Sequence, residues 1–250
     1  MGERSTGRIS TQVDPVQLSI FSNLFMSIAE QMGRMLQKTA VSTNIRERLD
    51  FSCALFDTQG QLVANAPHIP VHLGSLGICV RSLLECYEFR PGDTLVTNHP
   101  AFGGSHLPDV TLVSPVFAPD GTLLGYVASR AHHADVGGMS PGSMPLASEI
   151  YQEGLIIPPV KLVEGGTTVQ SLLNIILCNV RTPAERRGDL TAQIAAHRVG
   201  EGRLQEVVGR YGLEETQRYA RGLLAYAERL TRAALGRIPQ GVYTFVDEMD

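Results

Sequence analysis

The sequence predicts an α+β fold, in which a long helix precedes a centre of β-hairpins and loops, and a helical hairpin follows it. Three observations support this class. Apolar residues recur at helical spacing near the N-terminus, short apolar segments bounded by turn residues fill the middle, and helical periodicity returns over the last third. The sequence contains no internal repeat and no low-complexity tract.

The first predicted element is a single helix over residues 15–41. Asp14 is a suitable N-cap, and Pro15 occupies the first helical position, where its missing amide proton costs nothing. The apolar positions at helical spacing are Leu18, Phe21, Phe25, Ile28, Met32, Met35 and Leu36. Such a stripe of phenylalanine, methionine and leucine predicts a helix face that packs on the core.

Two hairpins form the predicted centre, each closed by a cluster of turn residues. The turns are Asp57-Thr58-Gln59-Gly60 and Pro119-Asp120-Gly121. Pro70 interrupts any helix across 68–72, so the helix between the hairpins is expected only after it. The predicted elements are strands 51–56 and 62–66, helix 76–87, strand 93–97, and strands 110–117 and 122–130.

The final third changes in character, because its periodicity is helical. Residues 187–211 and 214–237 each predict a helix, and Gly212 is the stop signal between them. Residues 241–250 then predict the start of a new apolar strand. Before these helices, the glycine-rich and serine-rich segment 137–145 predicts an ordered coil or a mobile flap.

Length and composition bound the organisation of the chain. At 250 residues it forms one large or two small domains, and 43% hydrophobic content with only 18% charged residues excludes a disordered chain. We divide it into an α/β part at 13–186 that carries the predicted site, a helical hairpin at 187–238, and a further segment that begins at 241–250.

The charge balance indicates which partners the protein binds, and the cysteine content indicates its cellular compartment. The 21 basic and 25 acidic residues give a net charge of −4, which favours neither nucleic acid nor an anionic membrane. No apolar run reaches the ~18 residues of a membrane span, and the first residues do not resemble a secretory signal. The four cysteines show no CxxC spacing, which is typical of buried thiols in a reducing cytoplasm.

Histidine and aspartate pairs lie at the open end of the second hairpin. His106 and Asp109 directly precede its first strand, whereas His132, His133 and Asp135 directly follow its second strand. The two strands of a hairpin bring these segments together whatever the rest of the fold does. A mixed imidazole and carboxylate set suits Zn, Mn or non-haem Fe, so we predict that these five residues hold a divalent metal.

The type of turn decides which histidine faces the aspartate. If Asp120-Gly121 is a two-residue turn, Asp109 opposes His132 and His106 opposes Asp135. In this register, as in the alternative one described next, one imidazole lies near Asp109. Directly opposed side chains are about 4.5–5.5 Å apart at Cβ.

The alternative is a type I turn over Pro119-Asp120-Gly121 that a glycine bulge closes. The register then shifts by one residue, and His133 shares a face with Asp109. Proline at the first corner and glycine at the left-handed position slightly favour this second turn.

Other residues are candidates for catalysis and for substrate binding. Glu153 is a candidate base or outer ligand, and Arg48 and Asp50 either contact a substrate or form an ion pair. The substrate-binding candidates are His68, His72, Gly103, Gly104, Gly137 and Gly138. The glycines let a backbone approach a ligand closely, and His68 or His72 is alternatively a further metal ligand or a structural histidine. No phosphate-binding motif is present, so the chain has no visible nucleotide site of its own.

With these residues the chain resembles the hydantoinase B/oxoprolinase family. The resemblance is carried by Gly103-Gly104-Ser105-His106-Leu107-Pro108-Asp109 and by Ser129-Arg130-Ala131-His132-His133-Ala134-Asp135. The other similar blocks lie at 47–54, 68–75, 98–102, 136–138, 141–145, 152–154, 179–183 and 185–190. They run in family order from Val13 to Asp250. His99 and the block that follows it look more like the 5-oxoprolinase branch than the hydantoinase branch.

The resemblance implies an enzyme that works with ATP and a partner. In the family, an A-type component binds ATP and phosphorylates the oxygen of a lactam, and the B-type component supplies a second active centre. The implied activity is hydrolysis of a cyclic amide, by a cytoplasmic hetero-oligomer. A component of a ketone carboxylase and a non-catalytic assembly protein are the alternatives. Family B components are more than twice as long, so the resemblance covers their N-terminal part.

Overall fold

The structure is a computed structural model that describes residues 13–66, 69–142 and 144–248. Its helices are α1 (Pro15–Thr39), α2 (Thr43–Arg46), α3 (Pro70–Cys86), α4 (Gln170–Cys178), α5 (Pro183–Tyr211) and α6 (Leu213–Leu235). Its strands are β1 (Phe51–Phe56), β2 (Leu62–Asn65), β3 (Thr94–Thr97), β4 (Asp109–Phe117), β5 (Leu123–His132), β6 (Val160–Glu164) and β7 (Thr167–Thr168). Two 3-10 turns lie at Pro100–Phe102 and Ile150–Gln152.

The strands form one seven-stranded antiparallel sheet in the order β2-β1-β5-β4-β3-β6-β7. The long hairpin of β4 and β5 is therefore its centre, and the first hairpin pairs with β5 along one side. This arrangement confirms the predicted α+β class. It also contains β6, β7 and α4, which the sequence patterns did not predict.

Helices cover both faces of the sheet. One face packs on α1, α5 and α6, where Phe21 of α1 is 1% exposed and stacks on Tyr219 of α6 with ring centroids 4.5 Å apart. The other face packs on α3, through Leu76, Val80 and Leu83. Burial of each such large side chain stabilises the fold by about 1.5–3 kcal/mol. The sheet therefore separates the residues of β4 and β5 that point towards α3 from those that pack on α1, α5 and α6.

The boundaries of several predicted elements differ from the structure. Pro70 begins α3 instead of interrupting it, since a proline at the first position of a helix loses no hydrogen bond. Helix α5 likewise begins at Pro183, four residues before its predicted start. The strand predicted at 241–250 is wrong over residues 241–248, which form neither helix nor strand. Within the described residues, no helix is long and apolar enough to cross a membrane.

The register of the central hairpin combines both predicted alternatives. The turn is the favoured one: the Gly121 amide donates to Ala118 O over 2.9 Å, with Gly121 at φ 86°, and Phe117 pairs with Leu123. A bulge next to Gly125 then shifts the pairing by one residue. From there to the open end the register is that of the other alternative, so Asp109 opposes His132.

Helix α5 crosses the sheet with a row of buried polar side chains among its buried apolar ones. The His197 ring nitrogens lie 2.7 Å from Ser114 Oγ and 2.9 Å from Ser129 Oγ. Gln193 Nε2 donates to Val110 O and to Ser129 Oγ over 3.1 and 3.2 Å. Burial lowers the pKa of His197 to about 3, so the ring is neutral in the folded protein.

The buried His197 makes stability depend on pH. The pKa of this ring is lower in the folded than in the unfolded chain, so protons bind the unfolded state preferentially between pH 6.5 and about 3. Stability is therefore expected to fall as pH falls through this window, with about 2 kcal/mol lost between pH 7 and pH 5 through His197. Urea unfolding of the wild type and His197→Asn at both pH values measures this. Equal losses in the two proteins would refute the assignment.

Candidate metal centre

The candidate centre is built around the carboxylate of Asp109, at the start of β4. Asp109 is fully buried, and its carboxylate Oδ1 lies 2.8 Å from His132 Nδ1. The other oxygen, Oδ2, lies 2.8 Å from His106 Nδ1 and accepts from the Ser105 hydroxyl over 2.7 Å. These partners lie just before β4 and at the end of β5. Both positions are at the open end of the hairpin, as its geometry predicts.

Local geometry fixes both histidines on this carboxylate. His132 is the direct cross-strand neighbour of Asp109 in the observed register. His106 lies in a tight turn in which the Asp109 amide donates to His106 O over 2.9 Å, and the His106 amide donates to Asp109 Oδ2 over 3.2 Å. One ligand atom from each of His106, Asp109 and His132 lies within 4.8 Å of the others.

His72 of α3 approaches the same carboxylate from the opposite side. Its Nε2 lies 3.5 Å from Asp109 Oδ1 and 3.8 Å from Asp50 Oδ1, and its Nδ1 lies 3.4 Å from Ser52 Oγ. The His72 side chain is buried, whereas that of Asp50 is 32% exposed. The centre therefore brings together three imidazoles and two carboxylates from the loop before β1, α3, the loop before β4, β4 and β5.

The surroundings keep Asp109 ionised. Burial raises the pKa of this carboxyl, but hydrogen bonds from His132, His72 and Ser105 outweigh burial and hold its pKa well below the usual range. For His132, burial lowers the pKa, but the hydrogen bond to Asp109 and the charges of Asp109 and Asp50 raise it by more. Because an ionised carboxylate only accepts, the Nδ1 atoms of His106 and His132 both carry protons.

The donor set of the centre fits a divalent transition metal. The Nδ1 atoms of His106 and His132 converge on the Asp109 carboxylate, and a divalent metal would take the place of the protons that these nitrogens share with its oxygens. Two imidazoles and one carboxylate within 4.8 Å match the three-ligand sets of catalytic metal sites, which leave a position for water or substrate. The side chain of His106 is 49% exposed, so the centre is accessible from that side.

Two of the five predicted ligands lie outside this cluster. His133 is buried on the other face of the sheet, where its Nε2 donates to Gln193 Oε1 over 3.0 Å. Asp135 is held by Arg181, whose amide and guanidinium contact its carboxylate over 2.5 and 3.0 Å. The cause is that the antiparallel pairing ends at His132, after which the chain turns towards the start of α5.

The predicted glycines pack against other backbone segments. Gly103 adopts φ 79° in the turn after Pro100–Phe102, and a Cβ there would lie 2.7 Å from the Cys79 amide nitrogen. A Cβ on Gly104 or Gly137 would lie 2.5 Å from a carbonyl oxygen, that of Asn98 or Asn179. The same holds for Gly138 against the carbonyl oxygen of Glu153. These glycines thus allow close contacts between loop backbones, and Gly103 and Gly104 do so in the loop that carries His106.

The remaining predicted residues have separate positions. Arg48 is exposed, and no described carboxylate forms an ion pair with it. Glu153 is partly buried at the end of the turn Ile150–Gln152, outside the Asp109 cluster. His68 lies outside the described residues.

Sequence reasoning missed Ser105 and Arg130. Ser105 directly precedes His106 and bonds to Asp109, and Arg130 is fully buried beside the cluster. A signal for Arg130 was present: it precedes His132 by two residues on a strand, so both side chains point to the same face of the sheet.

An antiparallel α+β domain with a buried histidine and aspartate cluster at one end of its central hairpin defines the class of this protein. The sequence model described as Hydantoinase B/oxoprolinase matches residues 14–250. The chain belongs to this family, which confirms the resemblance drawn from its motifs.

Two curated relatives illustrate the match. The chain is 48% identical over 244 residues to 5-oxoprolinase 1 of Arabidopsis thaliana, covering 92% of the chain and 19% of that relative. It is 34% identical over 241 residues to the putative B-type component of the D-/L-hydantoinase of Pseudomonas sp. strain NS671, covering 93% of the chain and 40% of the relative. The chain thus spans a fifth to two fifths of the length of these relatives.

Two solved structures share the fold. The ATP-dependent caprolactamase of Pseudomonas jessenii superposes with a TM-score of 0.85 at 35% identity, over 92% of this chain and 40% of that one. A nucleotide-free acetone carboxylase superposes with a TM-score of 0.77 at 21% identity, over 83% of this chain and 28% of that one. At that identity, the second comparison establishes a common fold alone.

Proposed function

We propose that this protein is the metal-bearing B-type component of an ATP-dependent lactam hydrolase, of the 5-oxoprolinase or N-substituted hydantoinase type. The observation that carries the proposal is the buried Asp109 carboxylate, which two imidazoles contact at 2.8 Å. The names of the relatives, which are a 5-oxoprolinase, a hydantoinase component and a caprolactamase, support a cyclic amide as substrate.

In this proposal His106, Asp109 and His132 hold the metal. A bound Zn, Mn or Fe ion supplies a Lewis acid, which polarises a carbonyl oxygen or lowers the pKa of bound water. Before the metal binds, the ionised Asp109 holds the Nδ1 protons of both rings and fixes their orientation, and the metal would displace these protons. Hydrogen bonds of this kind keep the ligand atoms in place before a substrate arrives.

The neighbouring groups handle protons and the substrate. His72 Nε2 lies 3.8 Å from Asp50 Oδ1 and 3.5 Å from Asp109 Oδ1, so an N–H group there faces both carboxylates. Asp50 and His106 are the more exposed groups of the centre, and a substrate contacts them first. Glu153, Arg48, His68 and the glycine loops remain proposed contacts at its periphery.

ATP is proposed to bind to an A-type partner instead of this chain. The sequence lacks a phosphate-binding loop, and the relatives named as a hydantoinase component and an ATP-dependent caprolactamase support a multi-component enzyme. The working enzyme is then a cytoplasmic hetero-oligomer. The partner activates the lactam with ATP, and the centre on this chain directs water to the activated carbonyl carbon.

Co-expression with an A-type partner tests the activity. We expect ATP cleavage that depends on 5-oxoproline or an N-substituted hydantoin, and that requires both components. Stimulation by a ketone with bicarbonate, and by no lactam, would identify a ketone carboxylase instead. ATP cleavage by the partner that is independent of His106 and Asp109 would identify a non-catalytic assembly protein.

Metal analysis of the purified protein provides a second, independent test. We expect about one equivalent of a transition metal, as in other catalytic sites with three protein ligands. Less than about a tenth of an equivalent, after purification without chelator and with metal supplied, would overturn the metal centre.

A further inference from the structure

Arg130 of β5 is fully buried, and its described hydrogen-bond partners are neutral groups: four oxygens and the Cys79 thiol. Its Nε donates to Thr111 Oγ1 over 2.8 Å, and Nη2 donates to Gly103 O over 2.8 Å. Its Nη1 donates to the Ser75 hydroxyl and, over 3.3 Å, to Ser105 Oγ. Within the described residues no carboxylate lies within 4.0 Å of this guanidinium. A buried cation with this arrangement needs an explanation, because isolated buried charges are costly.

Three of these contacts reach the segments that carry histidines of the centre. Ser75 lies on α3 one turn after His72, and Ser105 directly precedes His106. Gly103 belongs to the same loop as Ser105. The planar guanidinium therefore connects α3 and the loop before β4 to β5 through hydrogen bonds of fixed geometry.

The contact with Thr111 reaches the strand that supplies Asp109. Thr111 lies two residues after Asp109 on β4, on the same face of the sheet. Arg130 itself precedes His132 by two residues on β5. One side chain thus bonds to each of the segments that supply His72, His106 and Asp109, from the strand that supplies His132.

Ser105 links the buried cation to the buried anion. A guanidinium only donates, so the Ser105 hydroxyl accepts from Arg130 and directs its own proton to Asp109 Oδ2 over 2.7 Å. The charges of Arg130 and Asp109 are therefore paired through one hydroxyl. This bridge also orients Asp109 Oδ2.

We propose that Arg130 is the positioning residue of the candidate metal centre, which holds the four segments of the centre in register and orients Asp109 through Ser105. The inference rests on the proposed metal centre, and it deepens that proposal by assigning a residue that does not touch the metal or the substrate. Arg186, also buried but bonded to Asp189 on α5, is the matched control.

Co²⁺ titration followed by its visible absorption tests the inference in the intact protein. We expect Arg130→Lys, Arg130→Met and Ser105→Ala to weaken Co²⁺ binding by about 10- to 100-fold, the usual effect of losing a partner of a metal ligand. Arg186→Lys is expected to stay within about threefold of the wild type, because Arg186 bonds to none of the cluster residues. Loss of a nearby positive charge alone would tighten the binding of a dication, so weaker binding by Arg130→Met reports lost positioning.

Hydrogen exchange without metal separates this inference from the proposed function. We expect Arg130→Lys to accelerate exchange over residues 70–77 and 99–108, and Arg186→Lys to leave both segments protected. Unchanged exchange in these segments, or Co²⁺ binding by Arg130→Met and Ser105→Ala as tight as in the wild type, overturns the role of Arg130. Wild-type protein that binds no Co²⁺, or binding that survives His132→Ala, instead overturns the metal centre, and exchange alone then decides the role of Arg130.

Discussion

Asp109→Asn is expected to abolish stoichiometric metal binding. An amide offers one weak acceptor and two donors where the carboxylate now accepts from His106, His132 and Ser105. One imidazole then faces an N–H group and must change tautomer or move away. We expect a loss of affinity of at least about 100-fold, larger than the loss for a residue that only orients a ligand.

Metal content and Co²⁺ affinity of the purified variant measure this effect, and the lactam-dependent ATPase of the assembled enzyme is expected to fall with them. Asp120→Asn makes the same chemical change at the turn of the same hairpin, where the carboxylate caps the Thr122 amide. This control is expected to keep full metal content.

Asp135→Asn provides the sharper comparison. Asp135 is in the same sequence block as His132, but its carboxylate contacts Arg181. We expect this variant to retain the metal. Retained metal in Asp109→Asn, or metal lost equally in both variants, would contradict the assignment of ligands.

Sequence patterns predict those residues of the site that lie at the open end of a single hairpin. His106, Asp109 and His132 come together because the open end of a hairpin has a fixed geometry, whatever surrounds it. The turn chemistry of Pro119-Asp120-Gly121 was also predicted correctly. The choice of partner for Asp109 depended in addition on the bulge at Gly125, and a lone glycine in a strand does not reveal which way the register shifts.

Sequence patterns do not predict contacts between segments that are distant in the chain. His72 and Asp50 reach Asp109 only because α3 packs on one face of the sheet and β1 pairs with β5. The position of Arg130 on the face of His132 follows from the strand period, but its contacts with Ser75 and Gly103 depend on the packing of α3 and of the loop before β4. Helix α5 shows the same limit, since its polar row pairs with serines on strands more than 60 residues away.

The largest expected loss of stability comes from Asp189→Ala, on the opposite side of the sheet from the centre. Asp189 Oδ1 accepts from the amides of Val41 and Ser42 over 2.8 and 3.0 Å, and Oδ2 lies 3.1 Å from Arg186 Nη2. Both charged side chains are buried, and among the described residues Arg186 Nε and Nη1 have no hydrogen-bond partner. Asp189 is thus the buried counter-charge of Arg186.

Alanine at 189 removes the fully buried counter-charge of Arg186, which keeps only the partly exposed Glu185 carboxylate 3.0 Å from Nη2, and it leaves two amides without an acceptor. Breaking one side of a buried pair costs about 3–5 kcal/mol, a large part of a total stability of about 5–15 kcal/mol. Urea unfolding of the purified variant measures this loss. Asp57→Ala is the matched control, because Asp57 also accepts from two backbone amides, at 3.0 and 2.8 Å, but at the surface. We expect it to cost about 1 kcal/mol.

The double variant Arg186→Met/Asp189→Leu separates the two causes of the loss. If the uncompensated charge dominates, removing both charges restores most of the stability, since apolar pairs often replace buried ion pairs without cost. If the unpaired amides of Val41 and Ser42 dominate, the double variant stays as unstable as Asp189→Ala. A loss below about 1 kcal/mol in Asp189→Ala would show that the connection between α5 and the loop after α1 contributes little. We expect the first outcome, because a desolvated charge left with only the partly exposed Glu185 costs more than two amides that solvent reaches once the loop moves.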